Sequence, residues 1–404
     1  MEKQIKEHLL KYNLDVRKSR DARFMDQKVT PDILSFIADC VINLVAGNKG
    51  KKFTVKDIWN SQYFLSNIKA FYNKPDATEE EVKHEYDKLI QQPLKTLSYA
   101  KILNCKKKGI TNHFQIKNYE ILEYISFKDK NAFRFLYIYL IKVLKDSNEL
   151  KYFEEFKNKN QRGKITNQDY TKLKERFQKF LWGNTNISSG KKFEPNRIFP
   201  KILNVYAIRN QIKGSSKGFL SKDVALFGDL TYNRINFRDL RKSKSISRQE
   251  ARKLDESQIE QMKMLSARHD YLIKRAMDNI RKIQKESEVK DDLARGPAVE
   301  VHHIFPKHEF PEIAHYVENL IKLTPSQHSK AHNNRSPKVI NKDYQLLCLL
   351  SKADSVDKSI KSGKFFYSKE SFIFIVSVGL SEKLDFSLSM SDIKKRLREI
   401  YNEE

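Results

Sequence analysis

The sequence predicts a mostly helical α+β fold that is organised in three parts. Apolar residues recur at helical spacing over much of residues 30–182, residues 247–289 have the composition of a long charged helix, and strand-like segments are short and few. With 404 residues, of which 39% are hydrophobic, the chain can bury more than one core. We therefore divide it into residues 1–128, 129–246 and 247–404.

The first part begins as a series of helices and ends in a basic hairpin. Its predicted helices cover residues 31–45, a segment entered at 53–59, a segment from the Thr78–Glu81 capping box to about residue 90, and residues 93–103. A basic turn of Lys106, Lys107, Lys108 and Gly109 then precedes the strand-like residues 113–116. This order resembles a winged helix, in which one helix enters the DNA major groove and the wing contacts phosphates. A helical packing module with a solvated run of lysines is the alternative.

The second part combines an apolar scaffold with a basic, polar segment. Residues 119–182 have helical periodicity, and residues 183–190 are a loop rich in Asn, Ser and Gly. Arginines and lysines then alternate with Asn, Tyr and Gly-Ser stretches, a mixture that suits base readers and phosphate clamps. The candidate DNA-binding residues of this segment are Arg197, Arg209, Lys213, Lys217, Arg234, Arg238 and Arg241. A basic connector between domains would have the same composition.

The third part opens with the charged helix of residues 247–289, for which Ser247 is a plausible cap with Glu250 at the capping-box position. We expect this helix to join the preceding parts to the C-terminal segment. Its Lys and Arg residues either contact a nucleic-acid backbone or are simply solvated.

Six of the ten histidines are concentrated between His302 and His332. His302 and His303 are adjacent on a strand-like segment, so one imidazole can bind a metal while the other acts on a water. His328 and His332 stand four residues apart, and on a helix they would share one face. Thr324 or Ser326 would cap that helix. His308 and His315 are expected to be surface residues of the intervening loop.

This segment resembles the HNH, or ββα-metal, nuclease motif, and in particular its histidine-rich form in the DNases of the colicin family. The resemblance covers a small part of the chain, with a core at about residues 295–336. The matching residues are Glu300, His302, His303, Asn319, Thr324, Pro325, His328 and His332.

The resemblance implies a role for each matching polar residue. His303 would be the general base that deprotonates the attacking water, and Asn319 would brace the loop that orients it. His302 and His328 would ligate a divalent metal with His332 as a third ligand, although His332 could instead lie on the helix surface. Glu300 would hold a nearby basic group such as Arg295. Mg²⁺ is the expected ion, with Mn²⁺, Ni²⁺ or Zn²⁺ as alternatives. A purely structural zinc site is a further alternative.

Composition restricts the remaining classes of function. The net charge of +26 and the pI near 9.6 indicate a polyanionic partner, although lysine-rich genomes also produce basic proteins. Cys40, Cys105 and Cys348 form no Cys-x-x-Cys pair, unlike the paired cysteines around many HNH motifs. No signal peptide opens the chain, and the apolar run 372–380 is too short to cross a bilayer and would form a buried strand or helix. These features predict a cytoplasmic protein without a membrane partner.

Together these features predict a sequence-specific double-stranded DNA endonuclease that resembles HNH-type type II restriction enzymes. The partners would be double-stranded DNA, a separate methyltransferase that protects the same site, and a second copy of the chain that pairs with it on DNA. The alternatives are a modification-dependent, homing, structure-specific repair or nonspecific HNH DNase. A DNA-binding regulator with an inert motif is the non-enzymatic alternative.

Overall fold

The computed structural model describes residues 1–71, 83–231, 248–333 and 336–403. Within these ranges, the backbone alone is described at residues 83, 248–265, 333, 336–339 and 403. The prediction of a mostly helical α+β fold is confirmed over this part of the chain. Two compact units, Met1–Met264 and Leu265–Glu404, are present, and their boundary falls inside the long charged helix. No helix among the described residues is both long and apolar enough to cross a membrane.

The first unit contains eleven described helices, five strands and the beginning of a twelfth helix. Their bounds are α1 Glu2–Leu10, α2 Val16–Ser19, α3 Pro31–Leu44, β1 Lys52–Phe53, α4 Val55–Trp59, α5 Gln62–Asn67, α6 Lys83–Tyr99, β2 Leu103–Lys108, β3 Thr111–Ile116, α7 Tyr119–Phe127, α8 Asp129–Asp146, α9 Leu150–Gln161, α10 Asn167–Asn184, α11 Phe193–Asn210, β4 Lys213–Ser216, β5 Phe219–Val224 and α12 Arg248–Ile283.

The first three strands form one antiparallel sheet in the order β1-β3-β2; β1 lies between α3 and α4, and β2 and β3 follow α6. The buried rings of Phe53 and Phe114 stack across the β1–β3 pair. A capping box formed by Thr54 and Asp57 starts α4 at the predicted position. The capping box predicted at Thr78 lies outside the described residues.

Two local features differ from the sequence-based expectation. Helix α6 continues through Pro93, where two separate helices were expected. Proline removes one backbone donor, but buried leucines on both sides of it, Leu89 and Leu94, fix this helix in the core. The three lysines lie on β2 rather than in the turn, since Lys106, Lys107 and Lys108 pair with residues of β3. Gly109, at a φ of +58°, and Ile110 make the turn instead.

Helices α7 to α11 form the scaffold that periodicity predicts for residues 119–182 and extend it to residue 210. Phe153, Phe177 and Phe199 form an aromatic cluster between α9, α10 and α11, and the buried ring of Tyr170 joins it. The β4–β5 hairpin then packs against α11 and α10. Arg234, Arg238 and Arg241 lie outside the described residues, as does Ser247.

The second unit contains four strands in two antiparallel pairs, a short helix between the pairs, and longer helices before and after them. After α12 its elements are β6 Glu300–His303, β7 Leu320–Leu323, α13 Pro325–Ala331, β8 His332–Asn333, β9 Ser336–Ile340, α14 Lys342–Lys361, α15 Lys369–Gly379 and α16 Met390–Glu403. The order of strand, loop, strand and helix from β6 to α13 is the order predicted for this segment. The apolar run at 372–380 lies mainly in helix α15, with Phe372, Ile373, Ile375 and Val376 buried.

A fully buried ion pair connects α14 to the chain segment that precedes β6. Lys352 Nζ donates to the carboxylate of Glu288 at 2.6 Å, and both side chains are at most 1% exposed. Lys352 also donates to the hydroxyl of Tyr367 at 3.1 Å. The Glu288 carboxylate accepts from the backbone N–H of Lys322 on β7 at 3.1 Å. Because neither charge can reach water, each depends on the other.

We predict that Lys352→Met lowers the free energy of unfolding of this unit by about 3–5 kcal/mol, because Glu288 is left charged, buried and unpaired. Hydrogen exchange of the α14 amides measures this loss. Lys361→Met is the matched control, since that lysine is 75% exposed and its pair with Asp357 contributes at most about 1 kcal/mol. Equal protection in the two variants would contradict the assignment of Glu288–Lys352 as a structural pair.

Candidate metal centre

The pairing of β6 with β7 separates the two adjacent histidines. His302 lies opposite Ile321, and His303 lies opposite Leu320 at the end of the ladder. Successive side chains of a strand point to opposite faces. His302 is 5% exposed, whereas His303 is partly exposed. The adjacent imidazoles therefore occupy different environments, as the sequence predicts.

Helix α13 begins with the cap that the sequence predicts at Thr324. The Thr324 hydroxyl accepts from the backbone N–H of Gln327, and the Gln327 side chain accepts from the backbone N–H of Thr324 in return. Pro325 occupies the first helical position. Ser326, the other candidate, lies inside the helix.

His328 lies within α13, but His332 does not. The helix ends at Ala331, and His332 has an extended backbone, with φ −94° and ψ 149°, as the first residue of β8. The expectation that both histidines share one helical face is therefore wrong in its geometry. Asn341 donates its backbone N–H to the carbonyl of Ala331 at 3.0 Å, so the chain after the helix is held beside its end.

His302, His328 and His332 nevertheless converge on one point. One ring nitrogen of each lies within 4.8 Å of the others, close enough for a single metal ion. Their ring centroids are 4.9–5.2 Å apart and the ring planes cross at 79–86°. The rings therefore meet edge to face and are not stacked. This cluster can hold a metal ion, as the sequence predicts.

The electrostatics of His302 suit a neutral ligand. Burial, followed by the proximity of His328, His332 and His303, lowers the pKa of His302 to about 3. An imidazole that stays unprotonated near neutral pH keeps a nitrogen lone pair available to a cation. A donor set of three imidazoles fits a divalent transition metal or zinc.

His303 is held by a backbone carbonyl outside the cluster. Its Nε2 lies 3.1 Å from the carbonyl oxygen of Ala314, so this nitrogen carries the proton and Nδ1 is left as an acceptor. Burial, with smaller contributions from Lys307 and His269, lowers the pKa of His303, and the Ala314 hydrogen bond partly offsets this.

Asn319 braces the loop between β6 and β7 from inside. It is completely buried, its Oδ1 accepts from the backbone N–H of Phe305, and its Nδ2 donates to the carbonyl of Phe305. A longer contact of 3.4 Å reaches the carbonyl of Ile313, next to Ala314. Asn319 thus fixes both ends of the loop that carries the partner of His303.

Other predicted residues lie at the edge of this site. Glu300 begins β6 with its side chain partly exposed, and within the described residues it makes no ion pair with Arg295. His308 is exposed and paired with Glu309, in line with its assignment to the surface. His315 is partly exposed, and its ring lies 6.2 Å from that of His269.

Three residues that line the site were missed in the sequence. A cavity of about 340 Å³ opens at the histidine cluster, with Ile273 and Met277 of α12 among its lining residues. Helical periodicity marks these two only as apolar positions. Lys307 also lines the cavity, is exposed, and forms no ion pair among the described residues. Its position four residues after His303 was the available signal.

The described candidate DNA-binding residues belong to the first unit. Arg197 hydrogen-bonds Gln27 and stacks on Phe193, while Arg209 lies over Tyr137. Lys106, Lys107 and Lys108 are exposed on β2, and Lys213 and Lys217 belong to the β4–β5 hairpin. The three arginines of 234–241 fall outside the described residues.

Comparison with known proteins adds no further assignment: no family model, no curated sequence and no solved structure matches this chain.

We predict that His328→Ala weakens binding of one divalent ion by more than about 100-fold, since ligands contribute more than the groups that orient them. Isothermal titration with Zn²⁺ or Ni²⁺ measures the affinity and stoichiometry. His308→Ala is the control, because His308 lines the same cavity outside the cluster and should retain the affinity of the unaltered protein. Unchanged binding in His328→Ala would refute the site.

Proposed function

We propose that this chain is a metal-dependent, sequence-specific endonuclease of double-stranded DNA that uses an HNH-type centre. The observation that carries the proposal is that neighbouring imidazoles are placed for two different functions, metal binding and proton transfer. Three converge within 4.8 Å, while the fourth, His303, is turned by Ala314 so that Nδ1 can accept a proton. Hydrolysis of a phosphodiester needs both functions within one cavity.

The residues of the site have distinct tasks in the proposed reaction. His302, His328 and His332 would hold a divalent ion, which when bound polarises the scissile phosphate and stabilises the leaving alkoxide. His303 accepts the proton of the attacking water at Nδ1. Asn319 keeps the loop in place so that the carbonyl of Ala314 orients His303. The ammonium group of Lys307, at the mouth of the cavity, contacts a phosphate of the substrate.

The three imidazole ligands favour some divalent ions over others. Three imidazoles match the ligand preference of Zn²⁺ or Ni²⁺, whereas Mg²⁺ and Mn²⁺ prefer oxygen ligands and would have to take them from water and phosphate. We therefore propose a transition-metal or zinc ion at this site, and Mg²⁺ as the weaker ligand match.

The first unit supports the proposed substrate. A helix, a short strand, further helices and a hairpin in the sheet order β1-β3-β2 follow one another as in a winged helix, with Gly109 at the tip of the wing. Lys106, Lys107 and Lys108 are exposed there, and none of them forms an ion pair among the described residues. Such a unit can dock on a duplex with its lysines on phosphates, and base contacts from a helix in the major groove would then make cleavage site-specific.

Restriction of foreign DNA is the biological role that we propose. A single centre per chain cuts one strand at a time, so cleavage of both strands would require two copies to meet on the DNA. A separate methyltransferase would then protect the same sequence in the host.

The experiment that tests this function is digestion of unmethylated phage DNA with Mg²⁺, Mn²⁺, Ni²⁺ or Zn²⁺, followed by sequencing of the ends. Discrete fragments that disappear with EDTA are expected. A smear would instead make the chain a nonspecific DNase, and intact DNA with every ion would contradict an endonuclease of unmodified DNA.

We predict that His303→Ala abolishes cleavage while leaving DNA and metal affinity within about twofold, because the base acts only in the chemical step. Gel shift and ion titration measure the two affinities alongside the digestion. His308→Ala, a neighbouring histidine in the same cavity, should cut like the unaltered protein. Cleavage by His303→Ala would assign the base to another residue.

We predict that Asn319→Ala lowers kcat by about 10–100-fold through misorientation of His303, a range typical of groups that orient a reactive neighbour. The KM for DNA should change little, since Asn319 is completely buried and contacts only the loop backbone. Asn319→Asp keeps the acceptor for Phe305 and should retain part of kcat. A rise in KM alone would contradict the bracing role.

A further inference from the structure

The β4–β5 hairpin of the first unit is held by side chains from three helices. Asn160 of α9 donates to the backbone carbonyl of Lys213 and accepts from its N–H. Asn204 of α11 makes the same two hydrogen bonds with the backbone of Ser215. From α10, Tyr170 contacts the Ser215 hydroxyl at 2.7 Å, and Asn167 accepts from the N–H of Leu220 at 3.0 Å. These bonds fix the hairpin on the helical scaffold.

The approach of the hairpin to α11 depends on a glycine. A Cβ atom at Gly214 would lie 2.5 Å from the Asn204 Oδ1 and 3.2 Å from the Cβ of Ala207. No other residue type allows this contact without displacement. The hairpin is therefore a preorganised element.

The tip of this hairpin exposes an aromatic ring between lysines. Ser216 pairs with Phe219, and the two residues between them, Lys217 and Gly218, have positive φ values of 52° and 86°. This is the two-residue turn that matches the twist of a hairpin. The turn geometry does not require an aromatic residue at position 219, and yet the exposed residue there is a phenylalanine, 66% exposed.

The charge around Phe219 is predominantly positive. Lys217 is exposed in the turn itself, Lys222 is exposed farther along β5, and Lys213 lies at the base of the hairpin. Within the described residues none of these three lysines forms an ion pair. Asp223 is the single acidic residue of the hairpin.

We propose that Phe219 is a wedge that inserts between two base pairs of duplex DNA while Lys217 and Lys222 contact the flanking phosphates. An apolar side chain with adjacent cations is the combination by which proteins unstack a base step from the minor groove. A fixed hairpin suits this task, because a flexible one would bend away from the stack rather than open it. The inference rests on the proposed DNA substrate and adds how the duplex is engaged.

Charge favours DNA over a second copy of the chain as the occupant. A second copy also carries a net charge of +26, so its approach to a lysine-flanked tip is opposed. The exposed apolar side chains of the hairpin, Phe219 near the turn and Val224 at the end of β5, are also far fewer than those of a stable protein interface. A polyanion with planar stacked bases satisfies both the lysines and the ring.

The test is a plasmid unwinding assay with full-length His303→Ala protein, so that the DNA is bound without being cut. Relaxed plasmid is incubated with the protein and topoisomerase I, then stripped of protein, and its linking number is read on a gel. Insertion of a wedge unwinds the duplex, so the topoisomers should shift with protein concentration. Adding Phe219→Ala should abolish the shift at equal bound fraction, whereas Phe219→Leu should keep most of it.

Matched variants separate the wedge from simpler explanations. Phe386→Ala removes another exposed ring, 55% exposed on the second unit, and should leave the shift unchanged. Lys217→Ala should weaken binding and lower the salt dependence by about one counterion.

Binding without any shift, or an equal shift with Phe219→Ala, would overturn the wedge alone. A Phe219→Ala variant whose only change is its oligomeric state would assign the tip to self-association. Failure of every protein to bind plasmid would overturn the DNA substrate as well.

Discussion

The register between β6 and β7 is the constraint on which the whole site depends. Because side chains alternate along a strand, this register places His302 in the buried cluster and His303 outside it, although both line the cavity. A slip of one residue would exchange the two histidines and displace one proposed ligand and the proposed base together. The hydrogen bonds of Asn319 to Phe305 and the backbone contact of Ile304 to Asn319, at 2.8 Å, hold the loop that closes this pair of strands. The different placement of the two imidazoles is thus a property of backbone pairing.

A rigid surrounding shell compensates for the small size of this motif. The side chain of Gln327 joins the cap of α13 to Ser287 and to Asp291, and the hydroxyl of Tyr344 on α14 donates to the same aspartate. The buried pair of Glu288 and Lys352 lies beside this network and contacts β7 through the backbone N–H of Lys322. None of the cysteines is near the cluster in sequence. Hydrogen bonds and packing therefore stabilise this small motif, a function that paired cysteines bound to zinc have in other proteins.

Local sequence rules predicted the elements that depend on neighbours in the chain. The alternation at His302 and His303 and the Thr324 cap with Pro325 follow from strand period and capping chemistry. The brace at Asn319 was expected only from the resemblance to the HNH motif. The end of α13 before His332 did not follow, because the pairing of β8 with β9 draws that residue out of the helix. The α12 side chains at Ile273 and Met277 join the cavity through tertiary packing, which periodicity cannot assign. Helix α6 continues through Pro93 for the same reason, since burial of its leucines outweighs the local tendency of proline to end a helix.

We propose that His302, His328 and His332, and not His303, hold one divalent ion. X-ray absorption at the zinc edge, on full-length protein with equimolar Zn²⁺, counts the imidazole ligands. Three imidazole nitrogens at about 2.0–2.1 Å are expected, with oxygen completing the shell. Two nitrogens are expected after His332→Ala, and three are expected after His303→Ala. A four-nitrogen shell that loses one nitrogen in His303→Ala would show that His303 is a ligand, and would contradict its assignment as the base.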